Sequence, residues 1–184
     1  MNNHIKRPAI FLDRDGTLIE EVNFLSRVED LRLYPFTLPA LESLKRAGYL
    51  LIVVTNQSGI GRGIYDEDAM HAIHNAMQSE LDNIIDAFYF CPHLPCDGCA
   101  CRKPGLGMIE AACRDFPIDI GRSWMVGDKN IDIELGLNAG TSTILVRTGY
   151  GTQHQALLQD NPDFIARDFG EAHEQILLSA EVVL

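Results

Sequence analysis

Two aspartates spaced two apart, Asp13 and Asp15, follow the apolar run Ala9 to Leu12 and precede Gly16 and Thr17. Carboxylates this close repel each other unless a cation lies beside them, so DRDGT is either a solvated turn or part of a charged site. A second apolar run ends in MVGDKNID. If the strands are parallel, Asp128 emerges on the same edge as Asp13. Two carboxylates, a backbone carbonyl and waters then offer the six hard oxygens that suit Mg²⁺. Thr55-Asn56-Gln57-Ser58, after another apolar run, offers hydroxyl and N–H donors for phosphate oxygens, and Arg102-Lys103 supplies cations. Asp132, one turn beyond Asp128, reads better as a helix-start charge than as an outer metal ligand.

The segment CPHLPCDGCACRKP holds four of the five cysteines. Its Cys-x-His and Cys-x-Cys pairs make Cys91, His93, Cys99 and Cys101 a Cys₃His set for a closed, structural Zn²⁺ site. Cys96 remains an alternative ligand, because Cys96-x-x-Cys99 is also knuckle-like spacing. Zinc here would fix the loop that carries Arg102 and Lys103. Cys113 stands apart and reads as a small core residue. His4, His71, His74, His154 and His173 have no paired ligands in sequence and read as surface or helix-face residues.

Positioning these groups requires a sheet whose strands end at one edge. The strands read as continuous apolar runs, as in a parallel sheet covered on both faces: Pro8 to Leu12, Tyr49 to Thr55, Ala87 to Phe90, Trp124 to Val126, Thr143 to Val146, and a short one near Phe164. Helices are expected over Leu38 to Ala47, capped by Thr37 and followed by Gly48, over Asp66 to Asn83, Met108 to Phe116, Ile131 to Asn138, and from Glu171 onward. Strand and helix alternate, so the expected fold is a doubly wound, mostly parallel α/β sheet, Rossmann-like, in one domain over residues 1–184 with a zinc loop at 91–107. Ligands in such folds sit beyond the carboxyl ends of the strands.

Composition fits that size and class. The 184 residues, 46% hydrophobic and 22% charged, lie at globular averages, which excludes a disordered or fibrous chain. A net charge of −11 repels nucleic acid and anionic membranes. The N-terminal MNNHIKRPAIFLDRDG has no signal-peptide core, so a reducing, cytoplasmic setting is expected, and cysteines there favour metal over disulfides.

DRDGT, TNQSG, the RKP of residues 102–104 and GDKNID, in this order at strand ends, resemble the four motifs of the haloacid dehalogenase superfamily of phosphohydrolases. The zinc loop together with VRTGYG resembles that superfamily's histidinol-phosphatase-like group. The resemblance implies that Asp13 attacks phosphorus and that Asp15 serves as acid and base while its carbonyl joins Asp13 and Asp128 on Mg²⁺. Thr55 and Lys103 would hold the transferring phosphoryl group. Substrate contacts would come from Glu21, Val22, Asn23 and Phe24, from Asn56, Gln57 and Ser58, and from Arg102 and Lys129. The family's Cys-x-Cys directly before Arg-Lys favours Cys99 and Cys101 over Cys96. A phosphate dianion with Asp13 and Asp128 brings about −4, and Mg²⁺ with Lys103 and Arg102 about +4. Short inter-motif segments leave no room for a cap domain, so the site should be open. The implied protein is a monomeric phosphomonoesterase acting on a small sugar phosphate, with histidinol phosphate the rival substrate. A zinc-stabilised binding domain without turnover is the alternative of another class.

Overall fold

The computed structural model describes residues 5–181. Six strands, β1 (Ala9–Leu12), β2 (Leu50–Asn56), β3 (Ala87–Cys91), β4 (Trp124–Gly127), β5 (Ser142–Val146) and β6 (Phe164–Ala166), form one sheet in the order β3-β2-β1-β4-β5-β6. Every pairing is parallel. Helices α1 (Thr37–Arg46), α2 (Ser58–Gly61), α3 (Glu67–Glu80), α4 (Gly107–Asp115), α5 (Asn130–Ala139), α6 (Gly151–His154) and α7 (Phe169–Glu181) connect or follow the strands.

Alternation of side chains along each strand divides the apolar runs between two cores. Ile10, Leu12, Leu51, Val53 and Val126 pack with Leu41 and Leu44 of α1, Ile73 and Met77 of α3, and Phe169 and Ile176 of α7. Ala9, Phe11, Leu50, Ile52, Val54 and Met125 face Met108, Ile109 and Ala112 of α4 and Leu135 of α5. Burying each large aliphatic side chain contributes about 1.5–3 kcal/mol, and both faces of β1 are filled this way. The expected sheet and its helices are therefore present, and the sheet is wholly parallel.

Four local expectations need correction. Thr37 does not cap α1; it is the first helical residue, and its hydroxyl donates to the Leu18 carbonyl at 2.7 Å. The helix expected to reach Asn83 stops at Glu80, because Asp82 and Asn83 adopt left-handed backbone conformations. Cys113 is exposed. It lies about 100° around α4 from Ala112, which faces the core. His74 is buried on the same stripe of α3 as Met70, Ile73 and Met77; His4 lies outside the described residues.

β1 is flanked by β2 on one side and β4 on the other. The connections leave this switch point in opposite directions and open a crevice at the carboxyl edge. Asp13 follows β1, Thr55 and Asn56 end β2, and Asp128 follows β4, so the topology alone converges them there. No helix among the described residues is long and apolar enough to cross a membrane.

Candidate active site

Asp13 is buried at the end of β1, and its Oδ1 lies 2.8 Å from Lys103 Nζ and accepts the Arg14 N–H at 2.8 Å. Lys103 is equally buried. Its ammonium donates to the Val54 carbonyl at 3.0 Å and approaches Asp132 Oδ1 to 2.7 Å, an ionic contact lacking hydrogen-bond geometry. Burial opposes ionisation of Asp13, but Lys103, Lys129 and the Arg14 N–H outweigh it and hold the carboxyl below the usual range. Burial likewise opposes the charge on Lys103, yet Asp13 and Asp132 keep its pKa above that of a free lysine. Asp13 is thus an ionised carboxylate at neutral pH, as a nucleophile must be.

Asp128 lies in a slot between two glycine backbones. A Cβ at Gly16 or at Gly149, both with positive φ, would meet Asp128 Oδ2 at 2.3 Å. Oδ2 accepts the Tyr150 N–H at 2.8 Å, while Oδ1 is buried with no hydrogen-bond partner. Burial, and then the charge of Asp13, push Asp128 up to about 8. Carboxylate oxygens of Asp13, Asp128 and Asp132 lie within 4.8 Å of one another. An orphaned acceptor among hard oxygens in a site of excess negative charge suits a divalent cation; Asp13 and Asp128 each keep an oxygen without a hydrogen bond to offer it, whereas Asp132 accepts the Lys129 N–H at Oδ2 and meets Lys103 at Oδ1.

Asp15 faces different partners. Arg14 Nε and Nη2 donate to its two oxygens at 3.0 and 2.9 Å, and Gln57 Nε2 donates to Oδ2 at 2.9 Å. Gln57 also donates to Thr55 Oγ1 at 2.8 Å and accepts from Tyr65 OH. Asn56 locks the loop bearing Lys103 from both sides, through Lys103 N–H to Oδ1 at 3.0 Å and Nδ2 to the Lys103 carbonyl at 3.3 Å. The crevice above is a polar cleft of about 190 Å³ lined by Arg14, Asp15, Glu21, Asn23, Phe24, Leu25, Asn56, Gln57, Ser58, Tyr65, Arg102, Lys129, Ile131 and Tyr150. A smaller cavity of about 30 Å³ lined by Asp13, Thr55 and Lys103 shares Asp15, Asn56, Lys129 and Ile131 with it. Lys129 reaches Glu21 at 3.4 Å and lies 5.1 Å from the Tyr150 ring.

The zinc-loop residues converge as a set. Cys91, Cys99 and Cys101 Sγ atoms are linked by 3.5 Å contacts, and His93 Nδ1 lies 3.5 Å from Cys91 and 3.3 Å from Cys101. Two metal–sulfur bonds of about 2.3 Å at the tetrahedral angle would span about 3.8 Å, so the four donors fit a tetrahedral zinc. Cys96 is exposed, with its sulfur beside Asp97 rather than in the cluster.

Most predicted site residues therefore meet, with one exception and two refinements. Val22 is exposed and is not among the residues lining the cleft, unlike Glu21, Asn23 and Phe24. Arg102 and Lys103 do not aim together: Lys103 enters the carboxylate cluster, whereas Arg102 lines the open cleft and donates to the His93 carbonyl. Asp132 does satisfy a helix start, accepting the Lys129 N–H at 2.9 Å, but it also holds Lys103. The balance of charge changes accordingly. Asp13, Asp128, Asp132, Glu21 and a phosphate dianion bring about −6, and Lys103, Lys129, Arg102, Arg14 and a divalent cation about +6, so the charges close with a proton on Asp15. Arg14, Tyr65 and Tyr150 were missed. Only Arg14 carried a signal, as a basic residue between two acids where the chain leaves a buried strand.

The HAD-hydrolase-like family matches residues 100–172. A protein of Thermosynechococcus vestitus named D-glycero-D-manno-heptose-1,7-bisphosphate 7-phosphatase is 42% identical, the match covering 92% of this chain and 95% of the relative. A Haemophilus ducreyi protein named D-glycero-beta-D-manno-heptose-1,7-bisphosphate 7-phosphatase is 41% identical over 78% of this chain and 85% of its own. The crystal structure of D,D-heptose 1,7-bisphosphate phosphatase from B. bronchiseptica, complexed with magnesium and phosphate, superposes with a TM-score of 0.87 at 33% identity, covering 94% of this chain and 99% of that one.

Both candidate metal sites give measurable expectations. Protein purified without added metal is expected to carry about one zinc per chain; Cys101→Ser should lose it and Cys96→Ser retain it, as read by elemental analysis. Loss in Cys96→Ser with retention in Cys99→Ser would reverse the ligand assignment. For the carboxylate site, a raised Asp128 means that the metal-free folded protein holds a proton the unfolded chain releases, so its stability falls as pH climbs from about 4 towards 8. A bound cation displaces that proton. Mg²⁺ affinity by calorimetry should therefore weaken about tenfold per pH unit below about pH 8, and affinity independent of pH would contradict the site.

Proposed function

The chain belongs to the HAD-like hydrolases, in the family of the heptose bisphosphate phosphatases, and from that premise we propose that it removes the 7-phosphate of D-glycero-D-manno-heptose 1,7-bisphosphate through attack by Asp13. The reaction belongs to the supply of nucleotide-activated heptose for lipopolysaccharide. The observation that carries this reading is the ionised Asp13 held against Lys103 at the switch point, beside the orphaned Asp128 Oδ1.

Asp13 Oδ1 accepts the Arg14 N–H and is ion-paired with Lys103, so Oδ2 is the oxygen open to attack phosphorus. Attack forms an Asp13–phosphorus ester bond and breaks the bond from phosphorus to the sugar oxygen, which takes the proton carried by the Asp15 carboxyl. Water then adds to phosphorus and returns a proton to Asp15, the acyl-phosphate bond breaks, and inorganic phosphate leaves Asp13 free. Lys103 offsets charge on the nucleophile and the phosphoryl oxygens, and Thr55 Oγ1, oriented by Gln57, lies on the wall of the same small cavity. Mg²⁺, held by Asp13, Asp128 and the Asp15 carbonyl, would supply the remaining positive charge for the developing transition state. Zn²⁺ on Cys91, His93, Cys99 and Cys101 would be structural, stiffening the loop before Arg102. Glu21, Asn23, Phe24, Ser58 and Arg102, which line the cleft, would contact the sugar, and Lys129 lines both cavities.

Asp13→Asn should cut kcat at least about a thousand-fold with unchanged circular dichroism, since the amide is isosteric but a poor nucleophile. A variant keeping more than about a hundredth of wild-type kcat overturns the covalent route. Measured kcat/KM should be higher for an anomer of the heptose bisphosphate than for histidinol phosphate by about a hundred-fold, and the reverse order would overturn the substrate. No turnover of either by zinc-loaded protein with Mg²⁺ would favour a silent binding domain.

A further inference from the structure

His74 is a buried titratable side chain that the phosphoryl chemistry does not touch. It is 5% exposed on α3, and its ring stacks on Phe88 of β3 with centroids 4.4 Å apart. Its Nε2 lies 3.2 Å from Arg14 Nη1. A guanidinium has only donors and keeps its proton, so Nε2 must accept, which fixes the neutral tautomer with hydrogen on Nδ1. Burial, then the charges of Arg14 and His71, push the imidazole down to about 3, so the accepting form persists across the physiological range.

Arg14 is the largest side chain fully buried among the described residues, at 1% exposure. Its fork has three sets of partners: Asp15 through Nε and Nη2, Gln57 through Nη2, and His74 through Nη1. Asp15 and Gln57 belong to the site, whereas His74 is fixed in the core by its stacking and by its place in a helix. The planar guanidinium transmits position rigidly, because turning one edge moves the other two.

We infer that His74 is a positioning residue for Asp15, acting through Arg14 to hold the acid–base carboxylate in register with the departing oxygen. The inference rests on the role proposed above for Asp15. A displacement near 1 Å of a reacting group can cost about a hundred-fold in rate, and without an acceptor on Nη1 the Arg14–Asp15 pair is left with Gln57, which belongs to the site, and loses its tie to α3.

Dependence on the leaving group separates positioning from packing. A sugar alkoxide must be protonated as it leaves, whereas p-nitrophenolate leaves unaided. The ratio kcat/KM reports only the steps through phosphoryl transfer to Asp13. Wild type, His74→Leu, His74→Gln and Asp15→Asn are compared on p-nitrophenyl phosphate and on an alkyl phosphate that the wild type hydrolyses. His74→Leu should lose about 10- to 100-fold on the alkyl substrate and less than about threefold on the aryl one. His74→Gln, whose amide oxygen can stand near the Nε2 position, should recover most of that loss. Equal losses on both substrates make His74 a packing residue and overturn the inference. A non-selective loss in Asp15→Asn instead overturns the acid role itself, and with it the inference, without involving residue 74. Should His74→Leu not fold, ¹⁵N spectra of the wild type carry the test. Nε2 must be unprotonated from about pH 5.5 to 8, and a proton on it anywhere in that range is incompatible with acceptance from Arg14.

Discussion

A lysine ammonium buried between two aspartates is the constraint on which the carboxyl edge of this sheet depends. Lys103 meets Asp13 at 2.8 Å and Asp132 at 2.7 Å, with all three side chains at most 5% exposed. Removing ions from water costs several kcal/mol each, and their attraction offsets this only when geometry is good and all partners are present. Taking away one partner of such a set destabilises by about 3–5 kcal/mol. The triad ties three segments distant in sequence: the end of β1, the loop before α4 and the first turn of α5. Each was built for an apolar reason, yet none can shift without stranding a buried charge.

The surrounding polar contacts follow from that requirement. Asn56 at the end of β2 pairs with the Lys103 backbone in both directions, so the loop is held beside the sheet as well as through its ammonium. Gln57 N–H donates to the Cys91 carbonyl at 2.8 Å, which couples the start of the zinc-loop segment to the same turn. Cys101 adjoins Arg102 in sequence. A metal on the four loop donors would therefore act on Lys103 through two covalent links, and on Arg102 through one. A metal there would stiffen the site from outside the carboxylate cluster.

Much of this was legible in the sequence, for a physical reason. Parallel strands buried on both faces read as unbroken apolar runs, and the polar residues after each run must lie at the carboxyl edge, which located Asp13, Thr55, Lys103 and Asp128 together. Side-chain direction was not legible. Arg102 and Lys103 are adjacent and similar, but successive residues diverge, so one enters the cluster and the other the cleft. Val22 fails beside Glu21 and Asn23 for the same reason. Asp132 looked like a helix-start acid because that role is local, whereas its contact with Lys103 spans separate loops. Cys113 and His74 exchanged places with expectation, since a one-residue step around a helix decides between core and solvent, and residue type alone places neither a thiol nor an imidazole on one side.

The two aspartates of DRDGT are the clearest case of environment dividing labour between identical groups. Their pairing differs because the chain leaves β1 at Asp13 and turns at Gly16, whose positive φ lets the backbone close against Asp128. Asp13 thereby remains against the sheet edge, next to Lys103 and the buried Asp128, and its carboxyl pKa is held below the ordinary range. Asp15 is carried beyond the edge to Arg14 and Gln57, and its side chain is 15% exposed on the wall of the open cleft. A nucleophile needs fixed charge and exclusion from water, whereas a proton carrier needs access to the departing oxygen and then to solvent. Titratable groups placed in such contrasting surroundings take on different roles. Here the contrast is set by one glycine and by the arginine between the two acids, so a five-residue turn gives the two carboxylates the different surroundings that the proposed two-step displacement requires.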